Sequence, residues 1–226
     1  MRHLGKIRTN LVVGVFTVLA SATLASAAVP WSVPSGSQVL FNYSNGQSVN
    51  GKFGDGNEHA NQNGFTFFPS QFVASANGTN TPVTVTDTTS VTINASSVFL
   101  SVTASFMGDY TILGGGSATA SGLLKATNLD TLAVASAPMV VAGVPVIVNN
   151  SAQGGVFGTQ TVNLPGGWLN FKLEFTSTIT ATASSNGVAL IENKGADLVI
   201  RQKLIPEPTG LAAFGLLGAL VRRSRK

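Results

Sequence analysis

The segment WLNFKLEFTSTITATA, Trp168 to Ala183, alternates with a period of two along its whole length. Leu169, Phe171, Leu173, Phe175, Ser177, Ile179, Ala181 and Ala183 fall on one face. Asn170, Lys172, Glu174 and the threonines at 176, 178, 180 and 182 fall on the other. Successive side chains of a strand point to opposite sides, so this is a long strand with one dry and one wet face. Antiparallel sheets allow that arrangement, and they commit the rest of the chain to supplying partner strands.

Partners are readable on both sides of it. Asn186-Gly187 predicts a tight hairpin turn, with VALIE and ADLVIRQ following as two short strands about Asn193-Lys194-Gly195. PVTVTDTTSVTI predicts two strands about Asp87-Thr88-Thr89-Ser90. SVFLSVTASF alternates Val98, Leu100, Val102, Ala104 and Phe106 until Gly108-Asp109 ends it, and a further hairpin runs through Gly114-Gly115-Gly116. PMVVAGVPVIV, Pro138 to Val148, is too short and too interrupted by Pro145 to span a membrane, and reads as an edge or buried strand pair turning at Ala142-Gly143. The neighbouring NNSAQGGVFGTQ reads as an exposed loop. No stretch from Ala28 to Ile205 repeats every 3.6 residues. The expected fold is all-β, an antiparallel β-sandwich or jelly-roll-like body over residues 28–205, with helix confined to the two ends.

The ends carry a different message. MRHLGKIRTN is basic, LVVGVFTVLASATLA is apolar, and Ala25-Ser26-Ala27 supplies the small residues of a cleavage site before Ala28. That order predicts a secretory signal peptide over residues 1–27, handled by Sec-type export machinery. The formal charge of +4 resides in the two ends, because the body sets six basic residues against eight acidic ones. It therefore has no basic patch for nucleic acid. With no cysteine, an exported body relies on core packing alone.

At the other end, Pro206 and Pro208 stop any helix from running on out of the body. TGLAAFGLLGALV then forms an apolar run of about 20 Å if helical, against a hydrocarbon core of about 30 Å. Arg222, Arg223, Arg225 and Lys226 close the chain as a basic stop. Pro206-Glu207-Pro208, a short hydrophobic helix and RRSRK together resemble the PEP-CTERM sorting signal of Gram-negative bacteria. The resemblance covers residues 206–226 and implies an exosortase-like membrane protease as a partner. It also implies export with transient inner-membrane anchoring by the C-terminal helix, followed by a cell-surface or extracellular location. It implies no fold, ligand or catalytic residue for the body.

Within the body, chemistry is sparse. His59 is the one histidine, no Gly-x-Ser-x-Gly elbow occurs, and no catalytic residue is assigned. Asp55, Asn57, Glu58 and His59 could offer cation ligands, but their spacing fails the helix-loop-helix calcium pattern and reads as a turn. No metal or other cofactor is implied. Phe65 and Phe67 alternate as core residues, with Phe68 packing at a strand end before Pro69. The expected function is that of a non-enzymatic surface or extracellular-matrix protein, whose threonine-rich face meets exopolysaccharide through many weak hydrogen bonds. The alternative is a carbohydrate-binding module presenting Trp31, Phe68, Phe72 and Tyr110 in one exposed row. A secreted hydrolase with paired carboxylates comes third.

Overall fold

The computed structural model describes residues 27–61 and 63–202, and every regular element among them is a strand. In chain order these are β1 (Val29–Pro30), β2 (Gly36–Ser37), β3 (Phe41–Ser48), β4 (Asn57–Glu58), β5 (Gly64–Phe67), β6 (Val73–Asn77), β7 (Val83–Leu113), β8 (Gly116–Asn128), β9 (Val134–Ala142), β10 (Val146–Val148), β11 (Ala152–Ala183) and β12 (Val188–Gln202). All pairings are antiparallel. The all-β antiparallel body is as the alternation predicted.

Two strands are far longer than their sequence punctuation suggested. β7 is one strand of 31 residues and β11 one of 32. Each bends midway and serves two layers. In the first layer, the early half of β7 lies between β3 and the late half of β11, which pairs on its other side with β8. In the second, the late half of β7 lies between the early half of β11 and β12, and β12 carries β5 and β6 beyond it. β11 turns the corner at Pro165-Gly166-Gly167, where both glycines have positive φ of 72° and 78°, a region that excludes most side chains. The inner faces of the two layers close on one core, including Phe171, Leu173, Phe175, Val102, Phe106, Ile191 and Leu198.

Several expected boundaries move for identifiable reasons. Asp87 to Ser90 is no turn: Asp87 sits inside β7, buried, and its carboxylate serves a neighbouring loop. Gly108-Asp109 does not end the strand, which runs on to Leu113. Gly114 and Gly115 join strands that are not hydrogen-bonded neighbours, as does the turn at Asn186-Gly187, so both are crossings between layers. Asn193-Lys194-Gly195 is a bulge within the single strand β12. The supposed loop from Asn149 to Gln160 supplies the first residues of β11. β9 and β10 both line one margin of β8 and do not pair with each other.

The face of the opening segment needs one change. Phe171 to Ala183 bury as predicted, but Leu169 is 43% exposed and Trp168 is buried in its place. The register slips on both sides of Trp168, and an odd slip exchanges the faces of a strand.

Ala25 of the expected signal cleavage site lies outside the described residues, while Ala27 and Ala28 lead into β1. Pro206, Glu207, Pro208, the apolar run and the basic stop also lie outside them. The expected inner-membrane anchoring by a C-terminal helix is withdrawn. The described residues contain no helix, hence none long and apolar enough to cross a membrane.

Candidate functional site

Among the described residues, the outer face of the second layer carries the one cross-strand row with exposed aromatic rings toward its ends. Phe157 of β11 pairs with Met107 of β7, and Met107 pairs with Gly195 at the β12 bulge. Phe67 of β5 pairs with Ala196, and Phe68, the first residue past the end of β5, follows beside the β12 bulge. Alternation turns Phe67 inward and Phe68 outward. Phe68 is 69% exposed, Phe157 50% and Met107 47%. Three strand spacings separate the two phenylalanines, about 14 Å. Gly195 shapes this strip: a Cβ there would lie 3.1 Å from the Met107 methyl, so its absence leaves room for the Met107 side chain over the bulge.

A polar row runs beside the strip, two residues along each strand and about 7 Å away. It consists of Thr159, Ser105, Asp197, Thr66 and Asn57, in successive register across five strands. Asp197 is its centre: Thr66 Oγ1 donates to one carboxylate oxygen at 2.7 Å, and Ser105 Oγ to the other at 3.3 Å. On the strip's other flank, Asp109 pairs with Glu192 across the sheet. Lys194 bonds both, Asp109 Oδ2 closely and Glu192 Oε1 at 2.9 Å. The hydrogen bond to Asp109 first, then that to Glu192, raises the Lys194 ammonium to about 12. Gly154 and Gly155 open a shallow groove of 460 Å³ next to this flank, over Asp109, Tyr110 and Gln153. A cavity of 360 Å³ at one end of the sandwich, beside Gly114 to Ser117, has neither aromatic nor charged lining.

The residues expected to form an aromatic row separate. Trp31 and Phe72 are core residues: Trp31 packs on Phe65 with ring centroids 5.1 Å apart, and Phe72 on Phe53 at 5.3 Å. Tyr110 is half-buried and lies over Gly154. Phe68 alone of the four is exposed, contrary to its expected packing at a strand end. Phe157 was missed because its surroundings, QGGVFGTQ, read as loop; its spacing from Val156 and Gly158 was the available signal.

The Asp55 to His59 segment does not converge. Asp55 accepts from the Ser32 hydroxyl and amide, both at 2.6 Å, which hold its carboxyl below the ordinary carboxylate range. Glu58 accepts from the Tyr43 hydroxyl at 3.2 Å, and burial, followed by Glu58, raises the Tyr43 phenol. The His59 Nδ1 atom accepts from the Asn61 amide at 3.3 Å.

On the first layer's outer face, the threonine hydroxyls are already paired across strands. Thr84 meets Thr180 and Thr86 meets Thr178 at 2.9 Å, while Thr88 meets Thr176 at 2.8 Å. Such pairs stabilise the sheet, and they leave this face less hydrogen-bonding capacity for a ligand than its composition suggests.

No protein-family model and no curated protein matches the chain. Among solved structures, the carbohydrate-binding module TmCBM61 in complex with β-1,4-galactotriose aligns at 10% identity over 78% of this chain and 100% of its own, with a TM-score of 0.23. TmCBM27, a module that recognises mannan, aligns at 8% identity over 78% and 96%, also at 0.23. The family 11 module of Clostridium thermocellum, in complex with a β-1,3-1,4-mixed-linked tetrasaccharide, aligns at 10% identity over 80% and 91%, at 0.17. TM-scores this low establish neither a shared topology nor a shared ligand.

Proposed function

We propose that this chain is a non-catalytic carbohydrate-binding protein that takes an extended sugar chain along the Phe68–Met107–Phe157 strip. The observation that carries the reading is the strip itself: two exposed rings joined by a polarizable thioether, with a parallel row of hydroxyls and a carboxylate. Aromatic faces cover the apolar side of a pyranose ring, and a few well-placed polar groups then fix its orientation. A sheet face with rings toward both ends of a row suits a polymer better than a single sugar. The paired threonines of the opposite face make a diffuse hydroxyl surface the weaker reading.

Calorimetry of the protein against soluble oligosaccharides tests this. Phe157→Ala and Phe68→Ala are each expected to weaken binding about tenfold, since each removes a stacking platform. Binding that is unchanged in the double variant would refute the assignment. We further propose processing at both ends, supported by the Ala-x-Ala site and the resemblance of the tail. Mass spectrometry of the natural protein should then find termini near Ala28 and near Pro206 to Pro208, and an intact Met1 or Lys226 on most molecules would reject it.

A further inference from the structure

The charges around the strip are unbalanced. Asp197 holds two neutral hydroxyls and has no cation within ion-pair distance among the described residues. On the other flank, Asp109 and Glu192 share the single Lys194. One lysine thus stands against three carboxylates in the rows bordering the apolar strip. The next cation along β12 is Arg201, four residues beyond Asp197 and about 13 Å away along the strand. Hydroxyl donors orient a carboxylate without cancelling its charge, so Asp197 still presents a net negative centre to whatever lies on the strip.

Resting on the carbohydrate reading, we infer that the ligand is a polymer of amino sugars carrying free ammonium groups, with Asp197 as the ammonium acceptor. A pyranose stacked on the strip sets its ring substituents toward the polar row about 7 Å from the aromatic row. An ammonium there forms charge-assisted hydrogen bonds to Asp197, which are stronger than those of a neutral hydroxyl. A uronic acid at the same place sets like charges together and is disfavoured. N-acetylation removes the cation while leaving the ring and its apolar face. The acetylated and free-amine forms of one oligomer therefore isolate the charge term.

The test uses the full-length protein with three probes in mildly acidic, low-salt buffer: a glucosamine oligomer, its fully N-acetylated counterpart and an oligoglucuronate. The glucosamine oligomer should bind about tenfold or more tighter than the acetylated one, the scale of one hydrogen bond to a charged group. Added salt should erode that advantage. Asp197→Asn, which keeps the side-chain shape, should bring the ratio of free-amine to acetylated binding close to one. The ranking of the three probes on the unaltered protein decides the matter even if the variant folds poorly. Equal or weaker binding of the free-amine oligomer, with both still dependent on Phe157, overturns the amino-sugar inference and leaves carbohydrate binding standing. A free-amine advantage that survives in folded Asp197→Asn removes Asp197 from the role assigned to it. Failure of all three probes also overturns the amino-sugar inference, and binding indifferent to Phe157→Ala instead defeats the strip assignment on which it rests.

Discussion

Asp87 offers the sharpest test of how this fold is held. Its buried carboxylate collects five donors. The Asn50 and Thr88 amides reach Oδ1, both at 2.8 Å. The Lys52 and Phe53 amides reach Oδ2 at 2.6 and 3.1 Å, together with the Ser48 hydroxyl. Asparagine at this position keeps the shape and turns one acceptor into a donor. Whichever way its amide faces, two backbone N–H groups lose their partner. Each such group held in place without a partner costs about 1–3 kcal/mol.

Escape of the loop into water is blocked by Phe53. Its fully buried ring packs against Phe67, Phe72 and Phe175 with centroids 5.7, 5.3 and 5.6 Å away. Pulling that ring out would cost about 3–5 kcal/mol, so the loop stays in place and the amides, buried at Phe53 and part-buried at Asn50, Lys52 and Thr88, remain unsatisfied. Asp87→Asn is therefore expected to destabilise the protein by about 3–4 kcal/mol. Urea unfolding followed by fluorescence of the buried Trp31 and Trp168 measures it, with the slope against urea unchanged. A loss below about 1 kcal/mol would show that the loop relaxes freely, and the reasoning from Phe53 would be wrong.

Two further perturbations probe other parts of the sheet. Phe171→Asp buries an unpaired charge and should prevent folding, whereas Leu169→Asp should be tolerated on its exposed side of the bulge; circular dichroism of both variants that looked alike would contradict the register. Burial opposes ionisation of Glu174, but Lys172 and Lys125 outweigh it and hold the carboxyl below its ordinary 4.5. A carboxyl lowered on folding stabilises above its unfolded value and loses that contribution as pH falls through the folded value. Glu174→Gln should thus lower Tm slightly at neutral pH, by less than about 1 kcal/mol of stability for so exposed a cluster, with the deficit vanishing below 4.5. A deficit of equal size in acid would rule out the ion-pair account.

The period-two pattern made the strands legible, and the core with them: Phe171, Phe175, Ile179 and Ala181 are buried as the alternation required. Strand ends were much less so. Asp, Asn and Gly ordinarily mark turns, yet Asp87 is a buried acceptor and Asn193-Lys194-Gly195 a bulge, because tertiary partners override local preference. The strip was half legible for a related reason. Phe68 stood out beside Pro69, but Phe157 and Met107 meet only through a pairing between residues fifty positions apart, which local periodicity does not encode.

The division of β7 and β11 between both layers bears on how the chain reaches this state. Val83 waits for Ala181, and Ile112 for Ala152, so a chain made from its N-terminus has a full β7 long before either layer has its central pair. Contacts of such long sequence separation place folding in the millisecond-to-second range rather than the microsecond range. Unfolding should correspondingly be all-or-none, with no state in which one layer persists alone.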